Sequence, residues 1–215
     1  NDNGAVVLYH NNVAKLATSA GGVDVTGTLN GIPFFTDTST NSMYTHDVSG
    51  TDNDANRNTA YGFTALDAVT TADDSTAFGY GALGAVTTGP YNIGVGAYSG
   101  DAITTGTRNV AIGYQALSSA VNDINDGNVA VGYQSLYAAN ATTTNASANT
   151  ALGHRSSEQC TTGYKNVSIG YSTASAGNVT GYDNITVGTS AAASLTTGTR
   201  NVALGTNSLY SITQG

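Results

Sequence analysis

From Asn58 to Gly205 the chain alternates large, small and large side chains inside a five-residue frame that ends in glycine and recurs nine times. The pentads are NTAYG (58–62), STAFG (75–79), NIGVG (92–96), NVAIG (109–113), NVAVG (128–132), NTALG (149–153), NVSIG (166–170), NITVG (184–188) and NVALG (201–205). With the glycine as position 0, position −3 is β-branched in every copy and −1 is large and mostly apolar. Position −2, between them, is always Ala, Gly, Ser or Thr. Large–small–large over successive residues is the period-two signature of a strand, and side chains stiff at χ1 suit a pleated surface. A second short apolar segment follows each glycine, as in Gln115-Ala116-Leu117, and then a turn such as Thr104-Thr105-Gly106 or Thr196-Thr197-Gly198. Each repeat therefore predicts a strand, a glycine corner, a second strand and a glycine turn.

Successive closing glycines lie 17, 17, 17, 19, 21, 17, 18 and 17 residues apart. A short fixed period sets the architecture before any local assignment, because one such unit cannot bury its apolar face alone and a stack of them can. The expected fold is all-β, a parallel β-roll or β-solenoid with one ~17-residue coil per pentad. At the usual strand spacing of roughly 4.8 Å, nine coils make a rod about 40 Å long. Position −4 is Asn in eight of nine copies, with Ser75 as the exception. Asparagine there predicts a turn-bonding residue, or a ladder of like side chains up the rod.

Two departures from strict periodicity mark candidate binding positions. The longer intervals insert 122–127 and residues around 138–148, and extra residues in a repeat leave the stack as loops on a rigid scaffold. This gives Asn122, Asp123, Asn125, Asp126, Asn140 and Asn145 as candidate receptor contacts. The +1 column is Phe63, Tyr80, Ala97, Tyr114, Tyr133, His154, Tyr171, Thr189 and Thr206. Two readings stand for its aromatics: a packing seam between subunits, or an outer ladder in which Tyr114, Tyr133, His154 and Tyr171 meet sugar rings, since an aromatic body with a polar tip suits a carbohydrate.

Outside the solenoid (58–215) the pattern changes. Residues 1–31 read as short strands broken at Asn11-Asn12 and Gly21-Gly22, a shaft-like segment that three intertwined chains would bury better than one. Residues 32–57 lack periodicity and read as a connector, with Phe34, Phe35 and Tyr44 as anchors against neighbouring chains; the alternative is a degenerate first coil.

Composition narrows the functions. Only 9% of the 215 residues are charged and the formal net charge is −8. Six Lys and Arg in all argue against nucleic acid or an anionic bilayer as partner. No apolar run is long enough to insert in a membrane as a helix. The chain does not begin with Met and has no signal-peptide pattern, which suggests a processed or truncated piece.

The chemistry-bearing residues are sparse. Cys160 is the only cysteine, so no disulfide framework or thiolate metal cluster is expected, and His154 is the one base near it in sequence. Carboxylates for glycoside cleavage would come from Asp101, Asp123, Asp126, Asp183 and Glu158, which fall at turns without an aromatic and arginine cluster to hold a sugar. Asp52-Asn53-Asp54, Asp73-Asp74 and 123–126 match no Ca²⁺-loop pattern. No catalytic residue, metal site or cofactor is expected.

The stretch Thr104-Thr105-Gly106-Thr107-Arg108-Asn109-Val110-Ala111-Ile112-Gly113-Tyr114-Gln115-Ala116-Leu117 resembles the repeats of phage tail-fibre proteins. The N-x-A-x-G core is also similar to the β-roll head of trimeric autotransporter adhesins. The resemblance covers 58–209, and the opening run NDNGAVVLYHNN resembles a segment of phage fibre and tail proteins. It implies a homotrimer in the virion tail, joined to other tail components and binding a host cell-surface glycan or outer-membrane protein. An adhesin head on a bacterial surface is the alternative. Two further rivals are an ice-binding solenoid, prompted by the Thr pairs at 70–71, 87–88, 104–105, 161–162 and 196–197, and a capsule-degrading tailspike.

Overall fold

A computed structural model describes residues 6–19, 22–25, 28–29, 32–33, 35–37, 42–45, 54–119, 126–138, 146–175 and 179–213. The described residues contain strands and turns and no helix. Nine three-residue strands carry the pentads: β8 (Thr59–Tyr61), β9 (Thr76–Phe78), β10 (Ile93–Val95), β11 (Val110–Ile112), β12 (Val129–Val131), β13 (Thr150–Leu152), β14 (Val167–Ile169), β15 (Ile185–Val187) and β16 (Val202–Leu204). They stack in sequence order as one parallel sheet, each position on its equivalent, as in Ile93↔Val110, Gly94↔Ala111 and Val95↔Ile112. The chain is a β-solenoid, as its period predicts.

The strand alternation sorts chemistry between inside and outside. Position −2 points into the coil and is buried, so Ala60, Ala77, Ala111, Ala130 and Ala151 line the interior. Leucine at +4 (Leu66, Leu83, Leu117, Leu136) and an apolar residue at +7 (Val69, Val86, Ile103, Cys160, Leu195) fill the remaining space. Each fully buried Leu or Val contributes ~1.5–3 kcal/mol. So narrow a coil has room for about two large side chains, and this accounts for the small residue at −2.

The second segment of each repeat is not a strand. Residues +1 to +5 form an arc in which +2 and +4 both lie in the left-handed region, as at Gln115 (φ 52) with Leu117 (φ 53) and Gln134 (φ 52) with Leu136 (φ 48). A strand would send the adjacent Ala116 and Leu117 to opposite faces; here both are buried. Two non-glycine residues in this conformation cost roughly 2–4 kcal/mol per coil. The arc offsets this through inter-coil backbone bonds in both directions, Gln115 N–H to Ala97 O (3.1 Å) and Leu117 N–H to Ser135 O (3.0 Å). Each is worth about 1 kcal/mol and together they cover part of the cost, with leucine burial supplying the rest.

The −4 residues form a continuous ladder inside the rod. Each backbone N–H donates to the side-chain oxygen one coil earlier, as in Asn109 to Asn92 Oδ1 (2.9 Å), Asn128 to Asn109 Oδ1 (3.0 Å) and Asn149 to Asn128 Oδ1 (2.9 Å). The side-chain amide donates to the glycine-turn carbonyl of the following coil, for example Asn149 Nδ2 to Gly163 O and Asn166 Nδ2 to Gly181 O, both 2.8 Å. The Ser75 hydroxyl accepts Asn92 N–H at 3.2 Å and donates to Asp73 O at 3.3 Å in place of a glycine-turn carbonyl.

The N-terminal side of the stack has its own strand. β6 (Phe35–Asp37) pairs antiparallel with β7 (Ser42–Tyr44), and β7 lies parallel on β8 through Met43↔Thr59 and Tyr44↔Ala60. Ser42 Oγ accepts Asn58 N–H at 3.0 Å, so Ser42 takes the ladder position. Tyr44 falls in register with −2 and is 1% exposed, filling the coil interior rather than anchoring a neighbouring chain. The degenerate-coil alternative thus describes 42–44, while Phe34 lies outside the described residues. Farther upstream β1 (Val7–His10), β2 (Val13–Ser19) and β3 (Gly22–Val25) form an antiparallel meander, and β4 (Thr28–Leu29) pairs with β5 (Ile32–Pro33).

Candidate functional site

Two surface features run along the rod, the first over all nine coils and the second over the first seven. The first is the outer sheet face, built from positions −3 and −1. Its side chains are half-buried or exposed in every coil, among them Ile112 at 38%, Leu152 at 45% and Val202 at 67%. From β10 to β16 the face is aliphatic apart from Thr150, and at β8 and β9 it carries the stacked pair Tyr61–Phe78, with ring centroids 4.9 Å apart. No charged residue occupies −3 or −1 in any pentad.

The second feature lies just past the glycine corner. The +1 aromatics form a row along the rod because each coil presents that position in the same register. Tyr114–Tyr133, Tyr133–His154 and His154–Tyr171 stack with centroids 5.6, 5.0 and 5.0 Å apart and planes within 16° of parallel. Phe63–Tyr80 stack at the other end, at 6.2 Å. Between the two groups the coil with Ala97 at +1 supplies Tyr98 from +2, and its ring stands nearly perpendicular to Tyr80 and Tyr114. Burial between neighbouring phenols pushes the Tyr98 hydroxyl above the ordinary tyrosine range.

A polar row accompanies this aromatic one at +2. Gln134 Nε2 donates to Gln115 Oε1 at 3.0 Å, and Arg155 Nε reaches Gln134 Oε1 at 3.3 Å with Glu158 beside it at 3.6 Å. Four of the ten candidate receptor residues, Tyr114, Tyr133, His154 and Tyr171, are thus brought together. Gln115, Gln134 and Arg155 were missed, although reading +2 as a column in the way that +1 was read would have found them. A third aromatic contact is Tyr164–Tyr182 at 4.7 Å, with Lys165 and Arg200 near the rings at 5.8 and 5.9 Å.

Other candidates fall elsewhere or are engaged in the stack. Asn122, Asp123, Asn125, Asn140 and Asn145 lie outside the described residues. Asp126 Oδ1 accepts both Thr107 N–H (2.7 Å) and Thr107 Oγ1–H (3.0 Å), so it staples one coil to the previous turn. Asp73 holds Asn56 N–H in the same way at 2.7 Å, and Asp74 forms a two-point pair with Arg57. Asp101 accepts Ser118 Oγ–H at 2.6 Å, and burial raises its carboxyl above the usual range. Cys160 takes the apolar +7 position, and burial pushes its thiol up to about 12, out of range for a thiolate nucleophile near neutral pH. Among the described residues no three His, Cys, Asp or Glu side chains gather as a metal site.

The first hydroxyl of several Thr pairs also bonds within the stack. Thr70 Oγ1 donates to Thr87 O at 2.9 Å and Thr196 Oγ1 to Thr213 O at 3.0 Å. No protein-family model, curated protein or solved structure matches the chain.

Proposed function

We propose that this chain is the structural and receptor-binding part of a phage tail fibre, acting as a homotrimer that attaches the virion to the host-cell surface. The observation that carries the reading is the unpaired apolar sheet face. An uncharged strip nine coils long, aliphatic over seven of them apart from Thr150 and aromatic with threonine over the first two, exceeds what a solitary soluble rod ordinarily exposes. Its occupant is another copy of the same chain. The two-residue pattern repeats at the coil spacing, so ridges on one rod meet grooves of the same spacing on a parallel copy. Three copies around one axis cover all three faces at once and leave the aromatic rows outside. The sequence resemblance to tail-fibre repeats supports the viral setting, and three identical rows would bind with avidity.

The test is the native mass by light scattering together with adhesion to bacteria. The expected result is a heat-resistant particle of three 21.6 kDa chains that adheres to cells of at least one strain. A stable monomer that adheres to none would overturn the proposal.

A further inference from the structure

Resting on that reading, we infer that the receptor is a linear polysaccharide, and that it lies lengthwise on the double row formed by Tyr114, Tyr133, His154 and Tyr171 with Gln115, Gln134 and Arg155. The two long surface features differ in chemistry, which separates their partners. The sheet face is aliphatic and uncharged, suited to a protein copy. The corner row is aromatic with polar tips, and the column next to it is amide and guanidinium. An extension of the subunit seam would need no such polar column.

Sugar chains offer the matching surface, with apolar C–H patches alternating with hydroxyls. The phenol and imidazole rings supply the apolar body and a polar edge, and stay exposed to solvent. Each glutamine uses one of its four hydrogen-bonding sites with its neighbour in one direction and at most one more in the other, so capacity remains for ring hydroxyls. Mutual bonding also fixes the amides in place, which lowers the entropy lost on binding.

Periodicity selects a linear ligand. The rings repeat every 5.0–5.6 Å from Tyr114 to Tyr171. A sugar unit in an extended polysaccharide advances by nearly the same step, so each unit meets an equivalent ring. A globular protein receptor has no such translational repeat. The uniform stretch ends at Tyr98, whose crosswise ring interrupts the row.

The test compares the full chain with Tyr133→Ala, Tyr133→Phe and Gln134→Ala in adhesion to a panel of bacterial strains, each untreated, periodate-oxidised or proteinase-treated. We expect adhesion that survives proteinase and is destroyed by periodate. Tyr133→Ala should weaken it about tenfold, with Gln134→Ala also weaker and Tyr133→Phe losing less. Native mass should stay unchanged and the thermal midpoint should fall only slightly, because these side chains lie outside the coil and lose ring stacking and exposed hydrogen bonds but no core packing. Periodate-sensitive adhesion that all three variants retain would place the glycan elsewhere and overturn the inference. Adhesion destroyed by proteinase would overturn it in favour of a protein receptor while leaving the attachment reading standing. Adhesion to no strain would remove both.

Discussion

The nine closing glycines and the −4 asparagines are the residues on which the stack depends, and each can be tested against a near neighbour. Gly113 sits at φ +126, and a Cβ there would come within 2.6 Å of Gly132 O. Gly127 also has positive φ (+66), but a Cβ there meets nothing within 4 Å. Its column holds Arg57, Arg108 and Lys165 at φ 54–59 in other coils. Gly113→Ala should therefore lower the thermal midpoint far more than Gly127→Ala, whose cost is about 1 kcal/mol. Both the glycine-only φ and the coil contact contribute to that difference, so equal losses would show that neither constrains position 0. For the ladder, Asn128→Ala strands the Asn149 N–H and the Ala146 carbonyl that its side chain satisfies at 2.9 and 2.8 Å. Two buried groups at about 1–3 kcal/mol each predict a loss of roughly 2–6 kcal/mol in denaturant unfolding. Asn128→Ser should lose less, since Ser75 shows that a hydroxyl keeps one of the two bonds. Both positions stood out in sequence, because a residue kept in all, or all but one, of nine internal copies reports its own constraint without any relatives.

At the scale of the element, strands were legible and arcs were not. Val110–Ile112 and its equivalents alternate in and out as their composition predicts. The arc escaped because leucine carries no sequence signal for left-handed backbone. The one clue was an apolar pair at adjacent positions, Ala116-Leu117, which a strand cannot bury on one side. Coil interiors also vary in a way that the column pattern only hints at. The apolar core that includes Leu136 and Cys160 resumes as a separate cluster at Ala191, Ala192, Leu195 and Ala203. Between them a hydroxyl layer replaces Ala and Leu: Ser157 Oγ donates to Ser168 Oγ at 2.7 Å, and Thr186 Oγ1 lies 3.0 Å from it. Ser168→Ala removes an acceptor that Ser157 and Thr186 share and should cost about 1–3 kcal/mol, whereas adding Ser157→Ala should cost little more, because the Ser157 donor is then gone and Thr186 Oγ1 keeps Val167 O at 3.2 Å. A double-mutant cycle in urea measures this coupling. Strict additivity would mean that the layer is not one network.

For the whole molecule, the question is which side of the sheet, the small −2 face or the outer one, is free to meet other copies. The small face is buried within its own coil, with Ala60, Ala111, Ala130 and Ala151 at 0% exposure, so only the outer side is free to assemble. A single charge there tests the assembly without touching the coil. Ile112 projects outward at −1, and the register places Val95 and Val131 beside it. In a lone rod, Ile112→Glu keeps its carboxylate in water and should shift the thermal midpoint little. In a trimer, the same substitution brings three carboxylates together in an apolar seam, where uncompensated burial costs several kcal/mol per ion. On the proposed trimer, light scattering should then report monomers for the variant and trimers for the native chain, with strand content by circular dichroism retained. Tyr114→Ala, on the outer row, should leave the trimer mass unchanged. If Ile112→Glu remained trimeric and Tyr114→Ala fell to monomers, the aromatic row would be the seam between subunits. The roles of the two faces would then be exchanged, and the glycan would have to be sought on the sheet.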